Sequence, residues 1–220
     1  MKIKFYNILL IITFIVGVSS ISISQALRQG NIIIDPYYGF PNFEKSFITG
    51  IQVDYEEGYS TKGLGPWGLR MEYLVGDQFG LTLDGIHNSA GVEYRGTPNY
   101  INDENGNSIP NNEEYRYKIM LHRLRVQVGL NYHFDFSEPQ LDGYFGVAAG
   151  TNNRSFRITT TEPNSDIENE SFDDILGFFR LPVSMRLRFG GRYYFSENIG
   201  MNMEFGLGGP VLSAGLSVRL

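Results

Sequence analysis

Arginine side chains recur at every second position in two parts of the chain. Arg186, Arg188 and Arg192 share one parity in the first part, and Arg123 and Arg125 do so in the second. A guanidinium group is a planar fork of donors that binds carboxylates and other oxyanions through paired hydrogen bonds. The chemistry open to these arginines is therefore anion binding, either to carboxylates of the same chain or to an anionic solute.

Carboxylates and further arginines occupy the same alternating positions elsewhere. The charged residues that we predict to face one common interior are Arg70, Glu72, Asp84, Arg123, Arg125, Asp142, Arg180, Arg186, Arg188, Arg192, Glu204 and Arg219. Charges withdrawn from water must be paired. We therefore expect an Arg–carboxylate network that fills and closes the interior. The excess of arginine over acid leaves open an alternative, a narrow conduit or a pocket for a small anion.

The three histidines are the other candidates for chemistry. His87 has the same parity as Ser89 and Glu93, His122 falls in a neighbouring stretch, and His133 lies beside a predicted turn. A general base must lie within hydrogen-bond reach of its nucleophile, which spacing along one strand does not establish. The chain has no G-x-S-x-G element and no cysteine, so the prediction is a protein without catalytic residues.

The charged positions alternate with apolar ones, and this pattern predicts the elements that carry them. Between 179 and 195 the apolar residues keep one parity for 17 residues, whereas an ordinary strand has about 5 or 6. A period of two indicates a β-strand whose faces meet different environments. Because the polar face carries arginine and the other face is almost free of charge, the pattern favours lipid outside and a polar lumen inside.

Long and short connections alternate between the predicted strands. We place strands at 31–40, 66–75, 79–94, 115–134, 141–152, 175–195, 199–207 and 211–220. Tight turns that alternate with long loops are typical of an up-and-down barrel in a membrane. The predicted fold is therefore all-β, an eight-stranded antiparallel up-and-down transmembrane β-barrel.

Two prolines and two breaks in parity interrupt this pattern. Pro36 and Pro182 cannot donate a ladder hydrogen bond, so each is expected at a bulge or a strand end. The parity changes near Gly85 and again near Leu121, and we attribute each change to a β-bulge or to the end of the lipid-facing stretch.

Charge is divided between loops and strands. The loops at 41–66, 95–114 and 152–174 hold 14 acidic and five basic residues, although the whole chain carries a formal charge of only −6. An acidic chain is a poor partner for nucleic acid, and a chain without cysteine has no disulfide and no thiolate metal site. We predict acidic loops, no nucleic-acid partner and no cofactor.

The first 26 residues resemble an export signal. Lys2 and Lys4 precede an apolar stretch from Ile8 to Val18, and Ser24-Gln25-Ala26 forms a small-x-small cleavage site. This three-part pattern is typical of a secretory signal peptide. We therefore predict a signal at 1–26, removed after export, and one barrel domain at 27–220.

Three stretches resemble the outer-membrane β-barrel superfamily, in particular small porin-like or OmpX-like proteins of Gram-negative envelopes. These stretches are 34–42, 65–73 and the alternating C-terminal strand that ends at Leu220. The resemblance implies a monomer in the cell outer membrane, in contact with lipid and lipopolysaccharide. It also implies recognition of the C-terminal strand by the barrel-assembly machinery, although members usually end in an aromatic residue rather than leucine.

The resemblance implies a structural or surface-interaction role: envelope integrity, adhesion or limited passage of small solutes. Two alternatives stay open. Some barrels of similar size are lipid acyltransferases or deacylases, for which His87 would be the residue to test. A soluble periplasmic lipocalin-like binder would also show alternating strands, because a soluble antiparallel sheet has one wet face.

Overall fold

The computed structural model describes residues 27–51, 59–103, 107–163 and 182–220, so the predicted signal at 1–26 lies outside the described residues. The one helix in these ranges is α1 (Phe43–Ile51). The strands are β1 (Ile32–Phe40), β2 (Ser60–Lys62), β3 (Trp67–Gly76), β4 (Phe79–Gly96), β5 (Tyr100–Asn102), β6 (Ser108–Pro110), β7 (Tyr115–Phe134), β8 (Leu141–Thr160), β9 (Val183–Tyr194), β10 (Ile199–Leu207) and β11 (Leu212–Arg219).

Eight of these strands close into a barrel. Each strand pairs antiparallel with the next in the order β1, β3, β4, β7, β8, β9, β10, β11, and β11 pairs back onto β1. Closure gives every barrel strand two neighbours and leaves no open edge in the wall. The prediction of an eight-stranded antiparallel up-and-down barrel is confirmed. Short β2 extends the outer part of β4, and β5 and β6 form a separate hairpin.

The wall is inverted relative to a water-soluble protein. In β3 the side chains of Trp67, Leu69 and Met71 are about half exposed, whereas Arg70 and Glu72 are almost completely buried. The same alternation runs through the other barrel strands, with apolar residues outside. In water so large an apolar surface would drive association, whereas in a bilayer it faces a matching solvent.

The two ends of the barrel differ. The connections at 77–78, 135–140 and 195–198 are short and share one end, which we call the turn end; the opposite end is the loop end. Tyr73, Phe79, Tyr132, Phe134 and Tyr193 project from the outer face near the turn end. Such aromatic rings favour the boundary between hydrocarbon and headgroups, so they form an aromatic girdle.

Several bounds differ from the sequence prediction. β8 continues to Thr160 rather than to 152, because it pairs with the outer part of β7 as far as Tyr117. β9 begins at Val183, and the described residues contain none of the predicted strand from 175 to 181. The loop at 41–65 contains α1 and β2, and the loop at 95–114 contains β5 and β6. None of these small elements was predicted, because the loops lack sustained periodicity.

Of the two explanations offered for the changes in parity, the described β4–β7 ladder excludes a β-bulge. The β4–β7 register is continuous from Phe79 opposite Tyr132 to Gly96 opposite Tyr115, so the changes near Gly85 and Leu121 mark the end of the lipid-facing stretch. Pro36 lies within β1, and the register to β11 is unchanged on either side of it, so the prediction of a bulge or strand end there is wrong. Pro182 directly precedes β9, as predicted.

Helix α1 lies at the loop end and is fastened to the wall by its first residues. Asn42 caps the helix, since its side-chain oxygen accepts a hydrogen bond from the Lys45 backbone at 3.1 Å. The Asn42 amide nitrogen also donates to the carbonyl oxygens of Leu64 and Ser89, both at 2.9 Å. Among the described residues no helix is both long and apolar enough to cross a membrane.

Candidate functional site: the charged lumen

Arg192 is the centre of the charged cluster near the turn end. Its guanidinium donates to Asp35 at 2.7 Å and to Glu72 at 2.5 Å through the same nitrogen. A second nitrogen donates to Asp142 at 2.7 Å. Because β9 and β3 are opposite strands in a ring of eight, the Arg192–Glu72 contact joins opposite walls of the barrel.

His133 connects two of these carboxylates. Its Nδ1 lies 2.7 Å from Asp142 and its Nε2 lies 2.9 Å from Glu72. Asn131 donates a further hydrogen bond to Glu72 at 2.7 Å. Each carboxylate therefore has several donors, which is the condition under which buried charge is tolerated.

Glu204 is the centre of a second cluster, deeper in the barrel. Arg70 and Arg186 both donate to its carboxylate, and the Tyr144 hydroxyl donates to it at 2.9 Å. Arg70 also donates to Asp35 at 2.9 Å, which links this cluster to that of Arg192. The two clusters form one continuous network across the lumen.

Asp84 connects the network to β4. Its carboxylate accepts hydrogen bonds from the Tyr37 hydroxyl at 2.7 Å and from Arg186 at 3.0 Å. Arg188 donates to Thr82 at 2.6 Å and to Asn131 at 2.9 Å. These contacts cross between β1, β4, β7 and β9, so the network holds together strands that are not neighbours in the wall.

Glycines in the wall leave room for these large side chains. A Cβ atom on Gly190 would lie 2.5 Å from Cζ of Tyr144, and one on Gly68 would lie 2.3 Å from Cζ of Tyr37. Both distances are shorter than van der Waals contact, so residues with a side chain cannot replace these glycines without displacing a tyrosine ring. Glycine at these positions therefore leaves the space that large side chains occupy in the lumen.

The structure brings nine of the twelve predicted interior residues to buried positions in the lumen. They are Arg70, Glu72, Asp84, Arg125, Asp142, Arg186, Arg188, Arg192 and Glu204. Arg123 is only partly buried near the loop end, where it contacts Glu44. Arg219 is buried near the turn end, lies 5.0 Å from the Tyr194 ring and donates to the carbonyl oxygen of Glu197. Arg180 lies outside the described residues.

Sequence reasoning missed four members of the network. Asp35 lies in a strand that is apolar on both faces, so parity did not distinguish it. Tyr37 and Tyr144 were missed because only charged residues were considered for the interior, although Tyr144 shares the parity of Asp142. His133 was considered only as a candidate for chemistry beside a predicted turn, and not as part of the network. Six arginines and five carboxylates, Asp35 among them, are buried in the described part of the chain. The excess of buried arginine over buried carboxylate is therefore small.

In the described residues, the contacts of His87 and Ser89 do not pair a general base with a nucleophile. Ser89 accepts a hydrogen bond from the Leu64 backbone at 3.1 Å, and Nδ1 of His87 has no described partner. His87 packs against Trp67 and His122, with ring centroids 5.5 and 5.8 Å apart. The described residues also contain no group of three or more metal-ligating side chains placed to hold a metal ion.

Comparisons with solved structures return β-barrels of low sequence identity. A de novo designed transmembrane β-barrel is 12% identical with a TM-score of 0.39, over 89% of this chain and 100% of that one. The attachment invasion locus protein Ail of Yersinia pestis, solved with the heparin analogue sucrose octasulfate, is 9% identical with a TM-score of 0.39, over 87% and 99%. OprG, an outer membrane protein of Pseudomonas aeruginosa, is 13% identical with a TM-score of 0.39, over 90% and 99%.

No family model matches the chain, and no curated protein matches it in sequence. Membership of a porin-like or OmpX-like family therefore stays a prediction.

Proposed function

We propose that this chain is an outer-membrane barrel protein with a structural or surface-interaction role, and that its lumen is closed to solutes. The contact between Arg192 and Glu72 carries the proposal, because it joins opposite walls at 2.5 Å with both side chains fully buried. An interior of eight strands is just wide enough for side chains to fill. The remaining surface for partners is then the loop end, where the acidic residues are concentrated.

Location and partners belong to the same proposal. The apolar outer face and the aromatic girdle support insertion in a bilayer, with the turn end towards the periplasm and the loop end outside the cell. Outer-membrane lipid and lipopolysaccharide would contact the wall, and the barrel-assembly machinery would bind the C-terminal strand. We propose no catalytic activity, since no hydrogen bond in the described part of the chain joins a histidine to a serine hydroxyl.

Conductance in planar lipid bilayers tests the closed lumen. We expect no stable current steps from the wild-type barrel or from Arg157→Ala, which removes an exposed arginine from β8. The double variant Arg70→Ala/Arg192→Ala removes two of the four fully buried arginines described in the lumen and should conduct. Stable anion-selective steps from the wild-type protein would contradict closure, and a folded double variant that does not conduct would contradict the assignment of closure to Arg70 and Arg192.

A further inference from the structure

A group of arginines lies above the closed network, near the loop end. Arg123 and Arg125 of β7 have the same parity, and Arg154 of β8 lies directly opposite Arg123 in the ladder. Opposite residues in an antiparallel pair point to the same face, with Cβ atoms about 5 Å apart. Like charges in that arrangement are destabilising unless a counter-charge is present.

The described residues provide one carboxylate for these three arginines. Glu44 of α1 accepts a hydrogen bond from Arg123 at 2.7 Å. Arg125 donates instead to the carbonyl oxygen of Gly208 at 2.9 Å and to Asn88 at 3.4 Å, and it forms no ion pair with a described carboxylate. The group therefore has an excess of positive charge within the described part of the chain.

Two donors of the group lack a partner in the described residues. Nε of Arg125 and Nε of Arg154 are both buried without a hydrogen bond, and Arg125 as a whole residue is only 5% exposed. A buried donor without an acceptor costs free energy, most of all when it carries charge.

We propose that Arg123, Arg125 and Arg154 form a binding site for a small phosphate- or sulfate-type oxyanion at the loop end of the lumen. Such an anion offers several acceptor oxygens to guanidinium forks, which is the arrangement that phosphate sites in proteins use. The three arginines are on the inner face of the wall, so the anion comes from solution rather than from a lipid headgroup. Hydrogen bonds to Glu44 and Asn152 fix the position of the Arg123 side chain. Asn152 accepts a hydrogen bond from Nε of Arg123 at 2.7 Å.

Calorimetric titration with inorganic phosphate, and separately with sulfate, tests the site. The full-length exported protein is kept in non-ionic detergent at constant ionic strength set with chloride, so that general screening does not change during the titration. We expect saturable binding to the wild-type protein at one site. We also expect phosphate to raise the urea midpoint of unfolding, because a ligand that binds only the folded state stabilises it.

Variants assign the site to these residues. Arg154→Gln and Arg125→Gln should each weaken phosphate binding by about tenfold or more, the loss expected for a charged hydrogen bond. Arg157→Gln is the matched control, because it removes an exposed arginine from the outer face of the same strand. Only variants that keep the mobility of the folded barrel on unheated detergent gels are compared.

Four outcomes would overturn the proposal. They are an absence of phosphate and sulfate binding by the wild-type protein, unchanged affinity in both folded lumen variants, an equal loss in Arg157→Gln, and competition by added phosphatidylglycerol. The last result would assign the anion to a lipid headgroup.

Discussion

Arg192 shows how a single side chain can connect several strands of a barrel wall. Its guanidinium contacts carboxylates from β1, β3 and β8, and it lies 4.5 Å from the centre of the Tyr144 ring. Burial of a charge is unfavourable by itself, but removal of one partner from a buried pair leaves the other charge uncompensated. The stability of the barrel should therefore depend more on this residue than on any exposed arginine.

Replacement of Arg192 tests this dependence. We expect Arg192→Met to lower the free energy of unfolding by about 3–5 kcal/mol, since methionine keeps much of the volume but leaves three carboxylates without their main donor. Arg157→Met, at an exposed position of β8, should change it by about 0.5 kcal/mol or less. Urea unfolding in detergent micelles, followed by Trp67 fluorescence, measures both values. Equal midpoints for the two variants would mean that the network does not stabilise the barrel.

At the scale of elements, α1 is the one described helix, and an ion pair joins it to the wall. Glu44 lies 2.7 Å from Arg123, and the cap residue Asn42 at the same end of the helix donates hydrogen bonds to Leu64 and Ser89. Burial acts to raise the pKa of Glu44, but the hydrogen bonds from Arg123 and from the helix backbone, together with the positive charges of Arg123 and Arg125, outweigh it and the pKa is lowered from 4.5. A lowered pKa in the folded state means that the contact stabilises the fold above pH 4.5 and that this stability is lost as the pH falls through the lowered value.

Acidification should therefore release α1 from β7. Because the chain has no cysteine, spin labels can be attached at Ser46→Cys on α1 and Ser155→Cys on β8, both exposed positions. We expect a narrow distribution of label distances at neutral pH that broadens below pH 4.5. Glu44→Gln should be broad at neutral pH and insensitive to acid. A narrow distribution that persists in acid, or in the Glu44→Gln variant, would contradict a role for the ion pair.

At the scale of the whole molecule, the solvent explains why apolar side chains are outside. The described residues include 39 large apolar side chains with high exposure, most of them on the outer face of the wall. In water this surface would be a severe liability, whereas hydrocarbon would solvate the wall without cost. In hydrocarbon every backbone donor must be satisfied inside the protein, and a closed ladder achieves this. Closure and the inverted pattern are thus two consequences of one environment.

Heating in detergent tests closure of the whole barrel. The unheated protein should migrate faster on a dodecyl sulfate gel than the boiled protein, because a closed, hydrogen-bonded barrel stays compact in the detergent. Arg192→Met should lose the fast form at a lower temperature than the wild-type protein and Arg157→Met. Identical mobility before and after boiling would contradict a closed barrel, and recovery from cells in the soluble fraction would favour the lipocalin-like alternative.

Parity in the sequence located much of the lumen but not all of it. In β9 a face rich in arginine opposite an apolar face without charge identified Arg186, Arg188 and Arg192 without knowledge of any contact. In β1 both faces are apolar or aromatic, so Asp35 was overlooked although it accepts hydrogen bonds from two arginines. Parity reports on the contrast between two faces of one strand, and it fails where that contrast is weak.

The sequence by itself determined the strands of the barrel, their alternation and the placement of negative charge in the loops, because these depend on local periodicity and on composition. Only the tertiary structure decided which charges meet. The contact of Arg192 with Glu72 joins residues 120 positions apart, and it exists because closure places β9 opposite β3. The same closure left Arg123, Arg125 and Arg154 together at the loop end with one described carboxylate, since pairing across a ring depends on the position of each strand around the barrel and not on spacing along the chain.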